Sequence, residues 1–258
     1  MSKKMPVLFI SHGSPMNALL NNPYTEAISK WAENIPRPEA ILVISAHWET
    51  NGTFITASDE PKQIYDFYGF PKELYNLKYN PKGAKKYAEI AFEELKAEKV
   101  MLTEEWGIDH GAWSILTHMY PKADIPVFQM SLNRLGDEEY HYNLGKKLSN
   151  LREKGILIIA SGNIVHNLGR MDYEMNSAPF NWASEFDNYI SEAVISGAHH
   201  KLISYESLGE VAKLSVPTKE HYLPLLYIAA LQEQDDEVTF IYKGIQHGSM
   251  SMTSIQIG

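Results

Sequence analysis

Three apolar runs in this chain each stop abruptly at a polar segment that carries a histidine. Val7-Leu8-Phe9-Ile10 runs into Ser11-His12-Gly13-Ser14-Pro15, and Ile41-Leu42-Val43-Ile44 runs into Ser45-Ala46-His47-Trp48-Glu49. The third, Ile156-Leu157-Ile158-Ile159-Ala160, leads into Ser161-Gly162-Asn163-Ile164-Val165-His166-Asn167. Short, unbroken and rich in branched residues, such runs predict strands buried on both faces, as in parallel sheets. In open α/β sheets ligands gather at the carboxyl edge of the strands. Each histidine is therefore expected at or just beyond that edge.

The remaining pattern alternates strands with helices. Strands are expected at 6–11, 40–46, 53–57, 125–132 and 156–161. Helical spacing of apolar residues predicts helices at 24–34, 82–98, 112–119, 137–154 and 181–196. Pro224, suited to a first helical turn, opens another that runs to about residue 231. Two final strands, 237–245 and 249–257, read as a hairpin. The expected fold class is α/β, one domain over residues 1–258 with a central mixed, largely parallel sheet flanked by helices on both faces. Residues 51–81 resist regular assignment beyond the strand at 53–57. Tyr65, Phe67, Tyr68, Phe70 and Tyr75 lie there among Gly69 and Pro71. Long loops in compact domains tend to be functional, so the segment 65–75 is either a substrate lid or a set of rings packed on the core.

Composition narrows the chemistry. The 258 residues are 44% hydrophobic and 21% charged, as in ordinary globular proteins. A net charge of −9 argues against a nucleic-acid partner, which needs clustered Lys and Arg. The pairs Lys3-Lys4, Lys85-Lys86 and Lys146-Lys147 read as solvated surface. With no cysteine there is neither a disulfide framework nor a thiolate metal site, so a metal would need His, Asp, Glu, Asn or backbone oxygen. No apolar stretch approaches the roughly 20 residues of a membrane span, and the apolar run near the amino terminus is too short for a signal peptide. A cytoplasmic protein without a membrane or nucleic-acid partner, monomeric or a small homo-oligomer, is expected.

Ten histidines are present, and their contexts differ. His118, His141, His199 and His200 fall in helices or at a helix edge among polar neighbours and read as surface. His247 precedes Gly248-Ser249 and reads as a turn residue, with lining of a site as the alternative. The other five, His12, His47, His110, His166 and His221, follow strands or sit in loops flanked by Gly or Pro. Neutral imidazole is the commonest nitrogen ligand for zinc and iron. A catalytic metal usually takes three protein ligands and keeps positions open. Three of the five could hold a metal while two move protons. Glu49 and Asp109 stand beside candidate histidines, either as hydrogen-bond acceptors for them or as solvated carboxylates. Gly13-Ser14-Pro15 does not form a nucleophile elbow, and Ser161-Gly162-Asn163 lacks the spacing of a phosphate-binding loop.

Ser11-His12-Gly13-Ser14-Pro15, Ser45-Ala46-His47-Trp48, Asp109-His110-Gly111-Ala112-Trp113, Ser161-Gly162-Asn163-Ile164-Val165-His166-Asn167-Leu168 and Glu220-His221-Tyr222-Leu223-Pro224-Leu225 together resemble the 4,5-DOPA extradiol dioxygenase family. This is the LigB-like branch of the class III extradiol ring-cleavage dioxygenases, and the matching blocks run from residue 6 to about 252. The resemblance implies a non-haem metal centre, Fe(II) for activity, with Zn(II) possible as isolated. It implies His12, His47 and His221 as metal ligands and His166 as acid/base and possible fourth ligand. It also implies that His110 belongs to the substrate and oxygen pocket. Class III relatives often use a glutamate as third ligand, which makes Glu220, next to His221, a competing candidate. The implied reaction opens a DOPA-like catechol with O2 to a muconic semialdehyde. A zinc-dependent hydrolase on the same histidines, or a metal-binding protein without turnover, would use the same residues.

Overall fold

Val7–Ser11 forms strand β1, and all of its side chains are buried. The structure, a computed structural model, describes residues 4–258, so Lys3 of the first lysine pair lies outside the described residues. The further strands are β2 (Ala40–Thr50), β3 (Phe54–Thr56), β4 (Met101–Thr103), β5 (Val127–Asn133) and β6 (Ile156–Gly162). After them come β7 (Val238–Tyr242), β8 (Ile245–Gln246), β9 (Met250–Ser251) and β10 (Ser254–Ile257). One sheet of 8 strands has the order β4-β3-β5-β2-β6-β1-β10-β7, and β8 pairs with β9 separately. The four central strands, β5, β2, β6 and β1, are mutually parallel. Antiparallel pairing enters only at the flanks, through β3 with β5 and through β10 with β1 and β7. The sheet is mixed and mostly parallel, as the apolar runs predict.

Those runs are apolar at every position because the strands are covered on both faces. Side chains alternate across a strand, so Val7 and Phe9 face one core while Leu8 and Ile10 face the other. β2 and β6 divide likewise, with Leu42 and Ile158 on the first face and Val43 and Ile159 on the second. Each such side chain, removed from water, contributes about 1.5–3 kcal/mol. The helices are α1 (Pro23–Ala32), α2 (Lys72–Asn76), α3 (Lys85–Leu95), α4 (His110–Met119), α5 (Glu138–Lys146) and α6 (Ser149–Glu153). Further along lie α7 (Asn181–Ile195), α8 (His199–Ile203), α9 (Glu210–Ser215) and α10 (Leu223–Ala229). The first face is covered by residues of α3 and of α5 through α10. The second is covered by α1, α2 and α4. Among the described residues no helix is long and apolar enough to cross a membrane.

Several boundaries differ from expectation, each for a local reason. The predicted helix 137–154 is two helices. The backbone tightens between them, Lys147 and Leu148 each bonding three residues back, to the carbonyls of Leu144 and Gly145. The final hairpin is divided: β7 and β10 join the main sheet, and the segments nearer the turn, β8 and β9, form their own pair. α4 begins at His110 rather than 112, because the Asp109 side chain accepts the Ala112 amide as an N-cap. The short elements β4, α2, α8 and α9 give no periodicity long enough to read.

The register brings the carboxyl ends of the central strands to one edge. Ser11 pairs with Gly162, and Ser45 pairs with Ser161. β2 runs beyond the expected 46 and holds His47 inside the strand, not after it. Pairing with β6 stops at Ser45, and the register against β5 shifts between Ile44 and Glu49. His47 thus sits in an irregular stretch where neither neighbouring ladder constrains it, while Glu49 and Thr50 re-engage β5.

A candidate metal centre at the strand ends

The five histidines that follow strands or sit in Gly- and Pro-flanked loops converge on that edge. The His12 ring centroid lies 4.8 Å from that of His47, 5.2 Å from His221 and 5.4 Å from His110. His47 and His110 are 3.9 Å apart. His166 stacks on His221 at 3.5 Å with an interplanar angle of 8°. Donor atoms of His12, His47 and His221 all lie within 4.8 Å of one another.

Three features of the chain deliver these rings. His12 leaves β1 through Gly13, whose φ of +61° is left-handed backbone that favours glycine. His221 arrives from the segment before α10 and is held against β6, its carbonyl accepting the Asn163 amide at 2.8 Å. Only glycine allows that approach at 162, where a Cβ would lie 2.1 Å from the His221 oxygen. His166 follows β6, its amide bonded to the Ser215 carbonyl at 2.9 Å.

The hydrogen bonds behind the rings assign their tautomers. Ser161 Oγ donates to the Gly111 carbonyl at 2.6 Å, so at 2.9 Å it must accept from His12 Nδ1. Asp66 lies 3.2 Å from His47 Nδ1, and Glu220 lies 2.9 Å from His221 Nδ1. A carboxylate only accepts, so His221 Nδ1 donates, and the Asp66 carboxylate at ion-pair distance favours the proton on His47 Nδ1. All three rings then carry the proton on Nδ1 and an unprotonated Nε2. His12 Nε2 and His47 Nε2 face each other at 3.0 Å, while His221 Nε2 is buried without a partner. Two lone pairs in contact and a third left bare call for a cation among them. The 3.0 Å separation suits two nitrogens on one ion at bonds of about 2.0–2.1 Å. An oxygen acceptor behind each imidazole is the usual support for a histidine ligand. The donor set therefore fits a divalent metal. Glu220, the competing candidate, supports His221 from behind.

The electrostatics agree with neutral ligands. Burial, followed by repulsion from His221, His110 and His166, holds His12 well below the usual imidazole range. Burial and the neighbouring histidines, His110 first, do the same to His47. His221 is also lowered by burial, against the pull of Glu220. Burial would raise Glu220, but the hydrogen bond from His221 brings it down to about 2. His166 is pushed down to about 3 by burial and by His221.

Asp66 is the residue that the sequence pattern misses. It accepts the His110 amide at 2.9 Å and His110 Nδ1 at 2.8 Å, in addition to its contact with His47. Nothing in its local sequence marks it, since it sits in the aromatic segment, 44 positions from His110. Asp109 is not a solvated carboxylate: it is fully buried and accepts from Ser45 Oγ at 2.7 Å and Gln129 Nε2 at 2.8 Å. It thereby ties the start of α4, and with it His110, to β2 and β5. Glu49 is exposed. Of the histidines read as surface, His141 is fully buried against Tyr227 Oη, and His118 and His199 are half-buried with partners. His200 is exposed.

A cavity of about 470 Å³ opens over the cluster, lined by all five histidines and by Phe67, Phe70, Met171 and Met250 among others. The aromatic segment is packed on the core and borders the cavity. Phe67 contacts Phe70, Tyr75 and Trp113 as part of a packed wall, and it also meets the His110 ring edge-on at 5.4 Å. Tyr68 is exposed. His247, expected as a turn residue, is one and lines the cavity as well.

Comparison with known proteins places this arrangement. A protein named 4,5-DOPA dioxygenase extradiol from Escherichia coli K12 is 43% identical over 261 residues, covering 100% of this chain and 96% of that protein. A protein of the same name from Beta vulgaris is 37% identical over 253 residues, covering 95% of this chain and 94% of its own. The solved structure of an uncharacterized Escherichia coli K12 protein superposes with a TM-score of 0.86 at 39% identity, covering 98% of this chain and 100% of that one. Residues 6–257 match the family described as the catalytic LigB subunit of aromatic ring-opening dioxygenase. The chain belongs to the LigB family of aromatic ring-opening dioxygenases, metal-dependent enzymes that act on a small aromatic molecule and O2.

Proposed function

We propose that this protein opens the ring of a catechol next to its diol, with His12, His47 and His221 holding Fe(II). The observation that carries this reading is the trio of unprotonated Nε2 atoms, two of them 3.0 Å apart. Bound there, Fe(II) would supply a positive centre for the diol oxygens and O2 and lower the pKa of a hydroxyl it holds. Three neutral imidazoles leave that charge uncompensated. Zn(II) suits the same donors and could occupy the site as isolated, but it has no redox chemistry.

The chain's own residues divide the remaining work. His166 stacks on His221 and falls with His221 and Glu220 in a second donor group, separate from His12 and His47. That placement supports a proton-transfer role over a fourth-ligand role. The ring is neutral, so it can take the proton of a catechol hydroxyl oxygen. An anionic diol beside it would raise its pKa from about 3 toward the working range. His110 donates through Nδ1 to Asp66, which fixes the orientation of its ring in the pocket. Phe67, edge-on to His110, offers a wall for the aromatic ring. Low solvent access around these groups strengthens each polar contact. The product expected is a muconic semialdehyde.

The test is anaerobic reconstitution with Fe(II), followed by O2 uptake with L-DOPA and a panel of other catechols. Uptake matched by a yellow product is expected with Fe(II), and neither with Zn(II). Absence of both with every catechol, or ester or amide turnover restored by Zn(II), would overturn the reading.

A further inference from the structure

We propose that Asp109 is the positioning residue for His47: it clamps the chain on both sides of that ligand and sets the ring where Nε2 meets the metal. The inference rests on the reading above, in which His47 holds the metal. The need for a clamp comes from β2. Between Ser45 and Glu49 the strand leaves both neighbouring ladders, so regular pairing does not fix the backbone that carries His47. Irregular stretches of this kind re-aim a side chain, and the surroundings must then define the new direction.

An amide outside a ladder needs another acceptor, and the His47 amide finds it in Ser45 Oγ at 3.2 Å. The Ser45 hydroxyl in turn donates to Asp109 Oδ1 at 2.7 Å. Its single hydrogen is committed to the carboxylate, which leaves the oxygen lone pairs for His47. On the other side of His47, Trp48 stacks on Trp106, with the rings parallel within 3° and 5.5 Å apart. Trp106 Nε1 reaches Asp109 Oδ2 at 3.4 Å. The two residues that flank His47 therefore lead to the two oxygens of one carboxylate. Asp109 is itself fixed. Gln129, buried on β5, donates through Nε2 to Oδ2 at 2.8 Å and accepts the Asp109 amide on Oε1 at 2.9 Å. Oδ1 also accepts the Ala112 amide at 3.2 Å. The carboxylate is fully buried, so a lost partner is not replaced by water and leaves a polar group unpaired. The first turn of α4 is pressed against the same place: a Cβ on Gly111 would lie 2.6 Å from Ser45 Oγ and 3.1 Å from His47 Cδ2. Asp66 holds the ring of His47 at Nδ1, whereas Asp109 holds the backbone that aims it.

The test measures, on the full chain, the Zn(II) dissociation constant by competition with a chromophoric chelator and the visible spectrum with Co(II) bound. Ser45→Ala cuts the link to His47 while leaving the Asp109–Gln129 pair and the Ser161–Gly111 bond in place. It is expected to weaken Zn(II) about tenfold or more and to change the Co(II) spectrum. Asp109→Asn keeps the shape but turns one acceptor into a donor that faces Ser45 or Gln129, and the same two changes are expected. Thr25→Ala, which removes a buried hydroxyl from the start of α1, is the control. Its melting temperature should fall while its Zn(II) affinity and Co(II) spectrum stay those of the unaltered protein. Unaltered affinity and spectrum in either folded variant, or an equal loss of affinity in Thr25→Ala, overturns the proposal and leaves the metal centre standing. Failure of the unaltered protein to bind stoichiometric Zn(II) or Co(II) overturns the metal reading and this inference together.

Discussion

Asp66 grips His110 twice, through the backbone amide at 2.9 Å and through Nδ1 at 2.8 Å, and the second of these oxygens also reaches His47 Nδ1 at 3.2 Å. One carboxylate thus orients a pocket histidine and a candidate ligand. Asp66→Asn keeps the shape and removes the charge and one acceptor. We expect kcat to fall about 10–100-fold, the range for losing a partner behind a metal-site histidine. KM for the catechol should change little, because the Phe67 wall is held by its own ring contacts. Metal content should stay near that of the unaltered protein, since His12 and His221 have other partners. A variant with unchanged kcat would remove Asp66 from the catalytic arrangement.

The roles assigned to the histidines predict different losses. His12→Ala and His47→Ala each delete a Nε2 donor and should abolish stoichiometric metal, read by elemental analysis of the purified variant. His110→Ala should keep metal and lose rate. A chelator should abolish activity in the unaltered protein, with recovery on adding Fe(II) but not Zn(II). Stoichiometric metal retained in both ligand variants would remove the site as drawn.

Gly162 tests the delivery of His221 without touching a ring. A Cβ there would meet the His221 carbonyl oxygen at 2.1 Å, and the Pro224 ring lies just beyond at 3.3 Å. Gly162→Ala must push this segment away from β6. Overpacking of this kind costs about 1–3 kcal/mol, so the melting temperature should drop while circular dichroism stays that of the folded protein. Metal affinity should fall with it, because His221 Nε2 moves off the other two donors. Unchanged affinity in a folded variant would place His221 outside the metal set.

How much of this was legible in the chain depended on range. The apolar runs at 7–10, 41–44 and 156–160 announce strands covered on both faces, and the histidines after them announce a loaded edge. What periodicity could not supply was support that comes from distant segments. Asp66 reaches His110 across 44 positions, and Ser161 reaches His12 across 149. His47 read as a residue beyond its strand because the shift that frees it lies in pairing with β5. His141 misled differently. Its helix shows polar neighbours, but the face it occupies packs against α10, where Tyr227 accepts or donates at 2.9 Å. Ring-by-ring roles were reachable only through family resemblance, since ligands this far apart leave no compact spacing.

His141 also gives the fold a dependence on pH that is separate from the metal centre. The ring is fully buried, with Nδ1 on Tyr227 Oη; Nε2 has no partner in hydrogen-bonding geometry, although the carbonyls of Asn133 and Gly136 favour its charged form. Burial dominates and pushes its pKa from 6.5 down to about 4. Between those values the unfolded chain binds a proton that the native protein refuses. Stability is unaffected by this group above pH 6.5 and is lost as pH falls from there toward 4. The loss is on the order of 3 kcal/mol at the acid end. His141→Leu removes the titration at the cost of leaving Tyr227 without its partner, about 1 kcal/mol at neutral pH. Urea unfolding at a series of pH values should show the variant's stability falling less steeply between pH 6.5 and 4. Acid-sensitive groups elsewhere are common to both proteins and cancel in the difference. Parallel curves for the two proteins would show that His141 accepts its proton without unfolding.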